Sequence, residues 1–357
     1  AGTWDTNNVT LTADGSENIK GTTSDYTLEV YRQGIKIVYV DATQGWVATT
    51  GVNETAPAIK PPGNEEGIFG FGGGSPSSSS TTNLVSNTGV VSSDVTGVGQ
   101  GRENLTACEF GGDKGIFFGG WSNISPTGNS GKSNLVSNTG VVATDVAAVT
   151  SVDRYGAGGC EYGEDKGIFF GGYGGPVVQV TAITNLVSNS GVMQSDTAAV
   201  VGVSARQYVG MCEYGFDKGI IGFGNTQPTK VSTTNLISNS GVVATDVAGV
   251  VGVTIRQRLG ACSYGQDKGI FSYGSTGSDV SVSNLVSNAG VVATDVTGVG
   301  TARSGLAACE YGYDKAIFGY GNAGSGCTNL VTNAGVVGTD VTGVGTSRDS
   351  LAACSFN

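Results

Sequence analysis

Apolar and polar residues alternate along this chain in short runs broken by glycine, a pattern of β-strands joined by tight turns. One arrangement returns throughout residues 67–357. Leu306-Ala307-Ala308-Cys309-Glu310-Tyr311 predicts a first strand, and Gly312-Tyr313-Asp314-Lys315 turns it. A run such as Gly167-Ile168-Phe169-Phe170-Gly171 predicts a second strand, followed by a loop of variable length. Asn134-Leu135-Val136-Ser137-Asn138 predicts a third, and after the Thr139-Gly140 turn, Val141-Val142-Ala143-Thr144-Asp145-Val146 predicts a fourth. Glycine at such turns supplies the positive φ that hairpins need. No unit carries an uninterrupted helical period.

The unit is counted by its landmarks. Cys108, Cys160, Cys212, Cys262, Cys309 and Cys354 are spaced 52, 52, 50, 47 and 45. Arg102, Arg154, Arg206, Arg256, Arg303 and Arg348 keep the same spacing. Asp94, Asp145, Asp196, Asp246, Asp295 and Asp340 recur once per unit, as do Asn83, Asn134, Asn185, Asn235, Asn284 and Asn329. A four-stranded unit of this length has the arithmetic of a propeller blade. The repeat region opens on a second strand, Gly67-Ile68-Phe69-Gly70-Phe71, and ends on a first strand at 351–356. The last strand is therefore expected to complete the first unit and close the ring. An open solenoid would carry polar caps instead. The expected fold is all-β: a six-bladed β-propeller over 63–357, preceded by a small β module.

The units resemble kelch repeats over about 290 residues, on Asp165-Lys166-Gly167-Ile168-Phe169-Phe170-Gly171-Gly172, then Thr184-Asn185-Leu186, then Arg206. The double glycine is present at 72–73, 119–120 and 171–172 and missing from later units, and the kelch tryptophan is absent throughout. The resemblance implies kelch-like topology and does not extend to the intracellular kelch adaptors.

Residues 1–48 read differently. Val9 and Leu11, then Tyr26, Leu28 and Val30, then Ile35, Ile37 and Tyr39 alternate with polar residues and predict half-buried strands. Gly15-Ser16-Glu17-Asn18-Ile19-Lys20-Gly21 followed by Val38-Tyr39-Val40-Asp41-Ala42-Thr43-Gln44-Gly45-Trp46 resembles small β modules of bacteriophage tail fibres and related virion appendages. That resemblance implies an attachment or assembly role, other virion or tail proteins as partners, a homotrimer, and an extracellular place on the particle. Residues 49–62, with Pro57, Pro61 and Pro62, read as a linker. The chain begins at Ala1 without an initiator Met, which implies processing or a longer parent.

Composition narrows the chemistry. The net charge is −11, so nucleic acid and anionic membrane surfaces are poor partners. The absence of histidine excludes a Ser-His-Asp triad, His-ligated zinc or copper, and an imidazole base. No run of apolar residues is long enough for a spanning helix, so membrane insertion is not expected. The cysteines share one strand position and are expected as buried thiols between blades rather than disulfides. Glu109, Glu161, Glu213 and Glu310 could form an acidic ring that holds a cation. A cross-strand pair with Lys114, Lys166, Lys218 or Lys315 is the expected arrangement. The recurring Asp and Arg are expected to tie one blade to the next. Because each acid recurs with the repeat, the chain is expected to be non-enzymatic, with no cofactor, no metal and no catalytic residue.

Variable positions carry the functional expectation. The loops between second and third strands differ from unit to unit while the scaffold does not. They offer Trp121, Asn123, Tyr173, Gln227 and Asp279, and the segment before the first strand adds Tyr155 and Tyr208. Aromatic groups with amide neighbours suit a sugar or a protein surface. The expected function is a virion tail-fibre or appendage subunit whose propeller binds a host-surface glycan or protein receptor. The alternatives are a purely structural propeller, a glycan-degrading enzyme and a bacterial surface adhesin.

Overall fold

A computed structural model describes residues 9–15, 17–19, 23–28, 36–40, 42–43, 45–50, 64–74, 77–147, 151, 153–175, 179–322 and 326–357. Among these, all regular structure is β and no helix occurs. The chain divides into two compact units, Ala1–Pro61 and Pro62–Asn357.

Among the described residues, the first unit holds two antiparallel ribbons. Strand β1 (Val9–Leu11) pairs with β2 (Tyr26–Leu28), and β3 (Lys36–Tyr39) with β4 (Trp46–Thr50). Val30 and Ile35 of the predicted strands, and the predicted linker beyond residue 50, lie outside the described residues, while Thr49 and Thr50 of that linker belong to β4. Ile37, Val38 and Tyr39 are all exposed, so the expected half-burial of this strand does not hold. A two-stranded ribbon has no second layer to cover either face. The compound sequence pattern closes into a clasp. Trp46 N–H donates to Asn18 O at 2.8 Å, Asn18 Nδ2 to Thr43 O at 2.8 Å, and Trp46 Nε1 to Glu17 Oε2 at 3.1 Å. Gly45 has a φ of +66°, and a Cβ there would collide with the Asn18 carbonyl, so glycine is required.

Among the described residues, the second unit is built around six repeated three-stranded sheets, with a seventh, small three-stranded sheet and a two-stranded hairpin formed by its short loop strands. The first contains β5 (Glu66–Gly72) and β6 (Ser79–Val85). The second contains β7 (Thr106–Phe110), β8 (Lys114–Phe118) and, after the short hairpin β9 (Trp121–Ser122) and β10 (Gly128–Asn129), β11 (Ser133–Val136). Strand β12 (Arg154–Tyr155) precedes the third, which contains β13 (Gly158–Tyr162), β14 (Lys166–Phe170) and β17 (Thr184–Val187), with β15 (Tyr173–Gly174) and β16 (Gln179–Val180) in its loop. The fourth is β18 (Gly210–Tyr214), β19 (Lys218–Gly222) and β20 (Thr234–Ile237). The fifth is β21 (Gly260–Tyr264), β22 (Lys268–Ser272) and β23 (Ser283–Val286). The sixth is β24 (Ala307–Tyr311), β25 (Lys315–Gly319) and β26 (Thr328–Val331). The last strand, β27 (Ala352–Phe356), pairs antiparallel with β5 and completes the first sheet, Cys354 opposite Ile68.

The predicted fourth strand is reduced to two single bridges per unit, for example Val136 to Val142 and Ser133 to Val146. The reason is the recurring asparagine. Asn134 Nδ2 donates to Ala143 O at 3.0 Å and to Asp145 Oδ1 at 2.9 Å, taking a carbonyl that a regular ladder would use.

Strand β7 lies against β13, β13 against β18, β18 against β21, β21 against β24, β24 against β27, and β27 against β7. Alternation sends the Ile of each second strand and the residue after it, Phe in five sheets and Ile221 in the fourth, to opposite faces. Ile68 and Phe117 meet in one cluster, Phe69 and Ile317 in another, Ile270 and Phe318 in a third, all fully buried. Each such side chain contributes about 1.5–3 kcal/mol on burial. The seven cysteines are buried thiols. A Cβ on Gly115 would strike Cys354 Sγ, one on Gly167 Cys108 Sγ, and one on Gly269 Cys212 Sγ, so the thiols fill the space that strand glycines leave in the neighbouring sheet.

Candidate functional site

The recurring arginines are structural. Each guanidinium is buried. Arg102 stacks on Phe71 at 4.8 Å, Arg256 on Phe223 at 4.3 Å and Arg348 on Tyr320 at 4.5 Å, in each case an aromatic from the preceding sheet. Each then bonds into the following sheet: Arg102 Nη1 donates to Gly119 O at 2.9 Å and Nη2 to Asn134 Oδ1. Arg348 Nε donates to Phe71 O and Nη2 to Asn83 Oδ1, both at 2.7 Å, although Asn83 lies 265 residues away. The asparagine passes the link to aspartate, as Asn83 Nδ2 does to Asp94 Oδ1 at 2.9 Å. The Arg–Asp relation expected between units is thus mostly relayed by Asn; direct ion pairs occur at Arg154–Asp196, 3.6 Å, and Arg303–Asp340, 3.9 Å. Burial pulls Arg102, Arg154, Arg206 and Arg256 down to about 10, which leaves them charged at neutral pH.

The first sheet and the fourth to sixth reveal why the double glycine of 119–120 and 171–172 is dispensable, since an aromatic residue stands in place of its first glycine. Phe71, Phe223, Tyr273 and Tyr320 take the same left-handed φ, 61–64°, that Gly119 and Gly171 take at 70 and 71°. Their rings supply the stacking partner of the next arginine, which offsets a backbone conformation costing about 1–3 kcal/mol.

The strand register does not set the glutamates opposite the lysines as expected. Glu109 faces Gly115 and Glu161 faces Gly167 across the hairpin. The lysines pair with the preceding aspartate instead, Lys268 with Asp267 and Lys315 with Asp314 at 2.8 Å. Glu109 Oε1 accepts from Ser355 N–H at 2.7 Å and so links two neighbouring sheets. No cluster of acids and thiols able to hold a metal ion occurs among the described residues.

The opposite ends of the first strands hold the variable chemistry. The second residue after each repeated arginine is Asn104, Gly156, Tyr208, Arg258, Gly305 or Ser350. All six have φ between 53 and 66°. Their backbones are joined in sequence: Gly156 N–H donates to Asn104 O, Tyr208 to Gly156, Arg258 to Tyr208, Gly305 to Arg258, Ser350 to Gly305, and Asn104 to Ser350, at 2.6–3.2 Å. The sixth bond returns to the first residue. A cavity of about 120 Å³ lies beneath, lined next by Leu105, Val209, Leu259, Leu306 and Leu351.

Two large side chains lie over this ring, each above a glycine of the neighbouring sheet. A Cβ on Gly156 would sit 3.1 Å from the Tyr208 ring, and one on Gly305 would sit 3.2 Å from Arg258 Nη2. Arg258 Nη2 donates to Ser350 Oγ at 2.5 Å, and its guanidinium stands 5.3 Å over the Tyr208 ring. Tyr208 meets Tyr155 at 6.2 Å between ring centroids, and Tyr155 meets Tyr173 at 5.5 Å. Burial pushes the Tyr208 hydroxyl up to about 12 despite the nearby arginine, and Tyr155 is raised by burial and by Tyr173. Trp121 is bridged to Glu103 through reciprocal backbone bonds of 2.8 Å. Glu103 and Asp349 face one another across Gly73: a Cβ there would strike Glu103 Oε2 and lie 3.5 Å from Asp349 Oδ1. Burial and Asp349 raise the Glu103 carboxyl above its ordinary value, against the pull of Arg258.

Of the residues singled out in the sequence, Tyr155, Tyr173 and Tyr208 come together here, with Trp121 beside Glu103. Asn123 accepts from Ser78 N–H at 2.9 Å and ties two neighbouring loops. Gln227 is exposed at the tip of the Asn225–Lys230 turn, and Asp279 closes its own turn by bridging to Ser275. Glu103, Asp349 and Arg258 were not singled out. Aligning the units on the repeated arginine would have found them, because the two positions after it differ in nearly every unit. No family model matches the chain, and no curated protein matches it.

Proposed function

We propose that residues 63–357 form a closed, kelch-like six-bladed propeller that acts as the receptor-binding part of a virion appendage, with the small N-terminal module serving attachment or assembly. The closed reading is supported by the pairing of β27 with β5, the return of sheet contacts from β27 to β7, and the six backbone bonds that end where they begin. The phage reading rests on the tail-fibre resemblance of residues 15–46. The apolar ribbon that exposes Ile37, Val38, Tyr39, Val40 and Trp46 favours a module that is covered by another subunit.

One observation carries the binding function: within a scaffold repeated six times, the non-repeated side chains gather at the same ends of the first strands, as Tyr155, Tyr173, Tyr208, Trp121, Arg258, Glu103 and Asp349. The test is competition. The soluble full chain, added in excess to candidate host cells, lowers adsorption of the parent particle, and Tyr155→Ala abolishes the effect. A folded chain that neither binds cells nor blocks adsorption overturns the receptor role and leaves a structural one.

A further inference from the structure

The polar groups around Tyr208 and Arg258 define what kind of receptor fits, an inference that rests on the receptor-binding reading above. They comprise acceptors and donors set side by side. Glu103 and Asp349 offer carboxylate oxygens, which only accept while ionised. Arg258 offers guanidinium N–H groups, which only donate, while Tyr208 and Ser350 hydroxyls do both. The acceptor and donor sets are close, since Arg258 acts on the Glu103 carboxyl and bonds Ser350, the chain neighbour of Asp349. Beside them stand the rings of Tyr155, Tyr173 and Tyr208, with Trp121 held next to Glu103.

We infer that this cluster is a subsite for a neutral, hydroxyl-rich saccharide, with Glu103 and Asp349 accepting from ring hydroxyls, Arg258 donating to them, and the tyrosines stacking against the sugar's apolar face. A sugar hydroxyl donates and accepts at once, so neighbouring hydroxyls match alternating carboxylate and guanidinium groups better than any single charge does. A uronic or sialic carboxylate would meet the Glu103–Asp349 pair, whose members already disfavour one another's charge. The acidic class is therefore discriminated against by groups already in place.

Glu103 also sets the pH dependence. The groups facing it are Asp349, Arg258 and the half-buried Tyr208. Its carboxyl is raised, so it takes up a proton at a higher pH than an ordinary glutamate and loses acceptor capacity there. Saccharide affinity is highest at neutral pH and falls as pH drops through the raised value.

The experiment is titration of the full chain with tetramers of glucose, mannose and galactose, and with the corresponding uronic acid tetramers, read by calorimetry at pH 7.5 and pH 5. At least one neutral tetramer binds, and its uronic counterpart binds at least tenfold more weakly. Glu103→Gln and Asp349→Asn weaken the neutral ligand by tenfold or more and narrow the discrimination against the uronic acid, with an unchanged melting temperature for at least one of them. Merely structural roles would not alter that ratio. Uronic tetramers bound as well as neutral ones, or a neutral affinity indifferent to both variants, overturn the inference. Absence of binding to every tetramer overturns it too, and if the same chain still blocks particle adsorption, the receptor is a protein or a charged glycan and the broader reading survives.

Discussion

A double-mutant cycle across Gly115 and Cys354 tests the arrangement of the sheets directly. The two residues are far apart in sequence, one in β8 and one in the final strand β27. A Cβ on Gly115 would strike Cys354 Sγ and lie 3.3 Å from its Cβ and 3.5 Å from Val136 Cβ. Gly115 is not among the positive-φ residues, so alanine meets no backbone objection and even restricts the unfolded chain, by about 0.4–1 kcal/mol. The contact dominates, and overpacking of this kind costs about 1–3 kcal/mol. Cys354→Ala alone removes one buried sulfur, a loss on the order of 1 kcal/mol. If the residues touch, the double variant is hardly less stable than Cys354→Ala, giving a favourable coupling of about 1–2 kcal/mol. Melting curves resolve this, because 1 kcal/mol moves the midpoint by roughly 2–4 °C in a large domain. Gly167 with Cys108 is the internal control, since it repeats the contact between sheets that are consecutive in the chain. Coupling in the control but additive losses at Gly115 and Cys354 would refute the seating of the last strand against the second sheet, and with it the proposal of a closed ring.

Four other outcomes follow from the geometry. Phe356→Ala, at a fully buried side chain of β27, destabilises by about 3–5 kcal/mol in chemical denaturation, and a loss below about 1 kcal/mol contradicts its place in the core. Asn235→Ala strands the buried Arg206 guanidinium and the Asp246 relay, costing about 3–5 kcal/mol, whereas Asn239→Ala on the exposed turn costs under about 0.5 kcal/mol; equal melting temperatures would sink the relay. Burial pushes Asp94, Asp196, Asp246, Asp295 and Asp340 up, but hydrogen bonds from Thr or Ser and Asn outweigh it and hold these carboxyls low. Their contribution is present above about pH 4 and lost as pH falls through the depressed values, so melting temperature drops between about pH 4 and pH 2; a flat profile there refutes the assignment. Gly305→Val, which would force Arg258 from its seat over the ring, weakens saccharide binding more than Gly277→Val at an open turn, as calorimetry on both variants reads.

The sequence exposed the strands because each repeats a local rule. Ile and the large apolar residue after it in the second strand bury on opposite faces whichever unit they belong to, and cysteine follows the same period. The fourth strand misled because its apolar spacing is that of a strand while Asn134 and its equivalents divert the carbonyls that would make the ladder, a side-chain effect that hydrophobic pattern does not record. The lysine was misassigned for a similar reason: register places Lys166 opposite Tyr162, not Glu161, and one residue of offset reverses the face. The site was half legible. Aromatic residues in variable loops drew attention to Tyr155, Tyr173, Tyr208 and Trp121, but charge drew it away from Glu103, Asp349 and Arg258, because the neighbouring acids and arginines of the repeat serve the scaffold. What separates the two kinds is position within the unit. An arginine at the repeated position is locked between an aromatic of one sheet and the asparagine or, at Arg256, the backbone carbonyls of the next, so its charge is consumed internally. Two residues further on, the backbone is fixed by the six-membered hydrogen-bond ring, and the side chain is left to differ. There Asn, Gly, Tyr, Arg and Ser occupy equivalent places, and the glycines at 156 and 305 make the room in which Tyr208 and Arg258 lie. A repeat that holds its backbone constant at that position while changing most of the residues on it leaves the scaffold's stability independent of those side chains, which is what the proposed binding role requires.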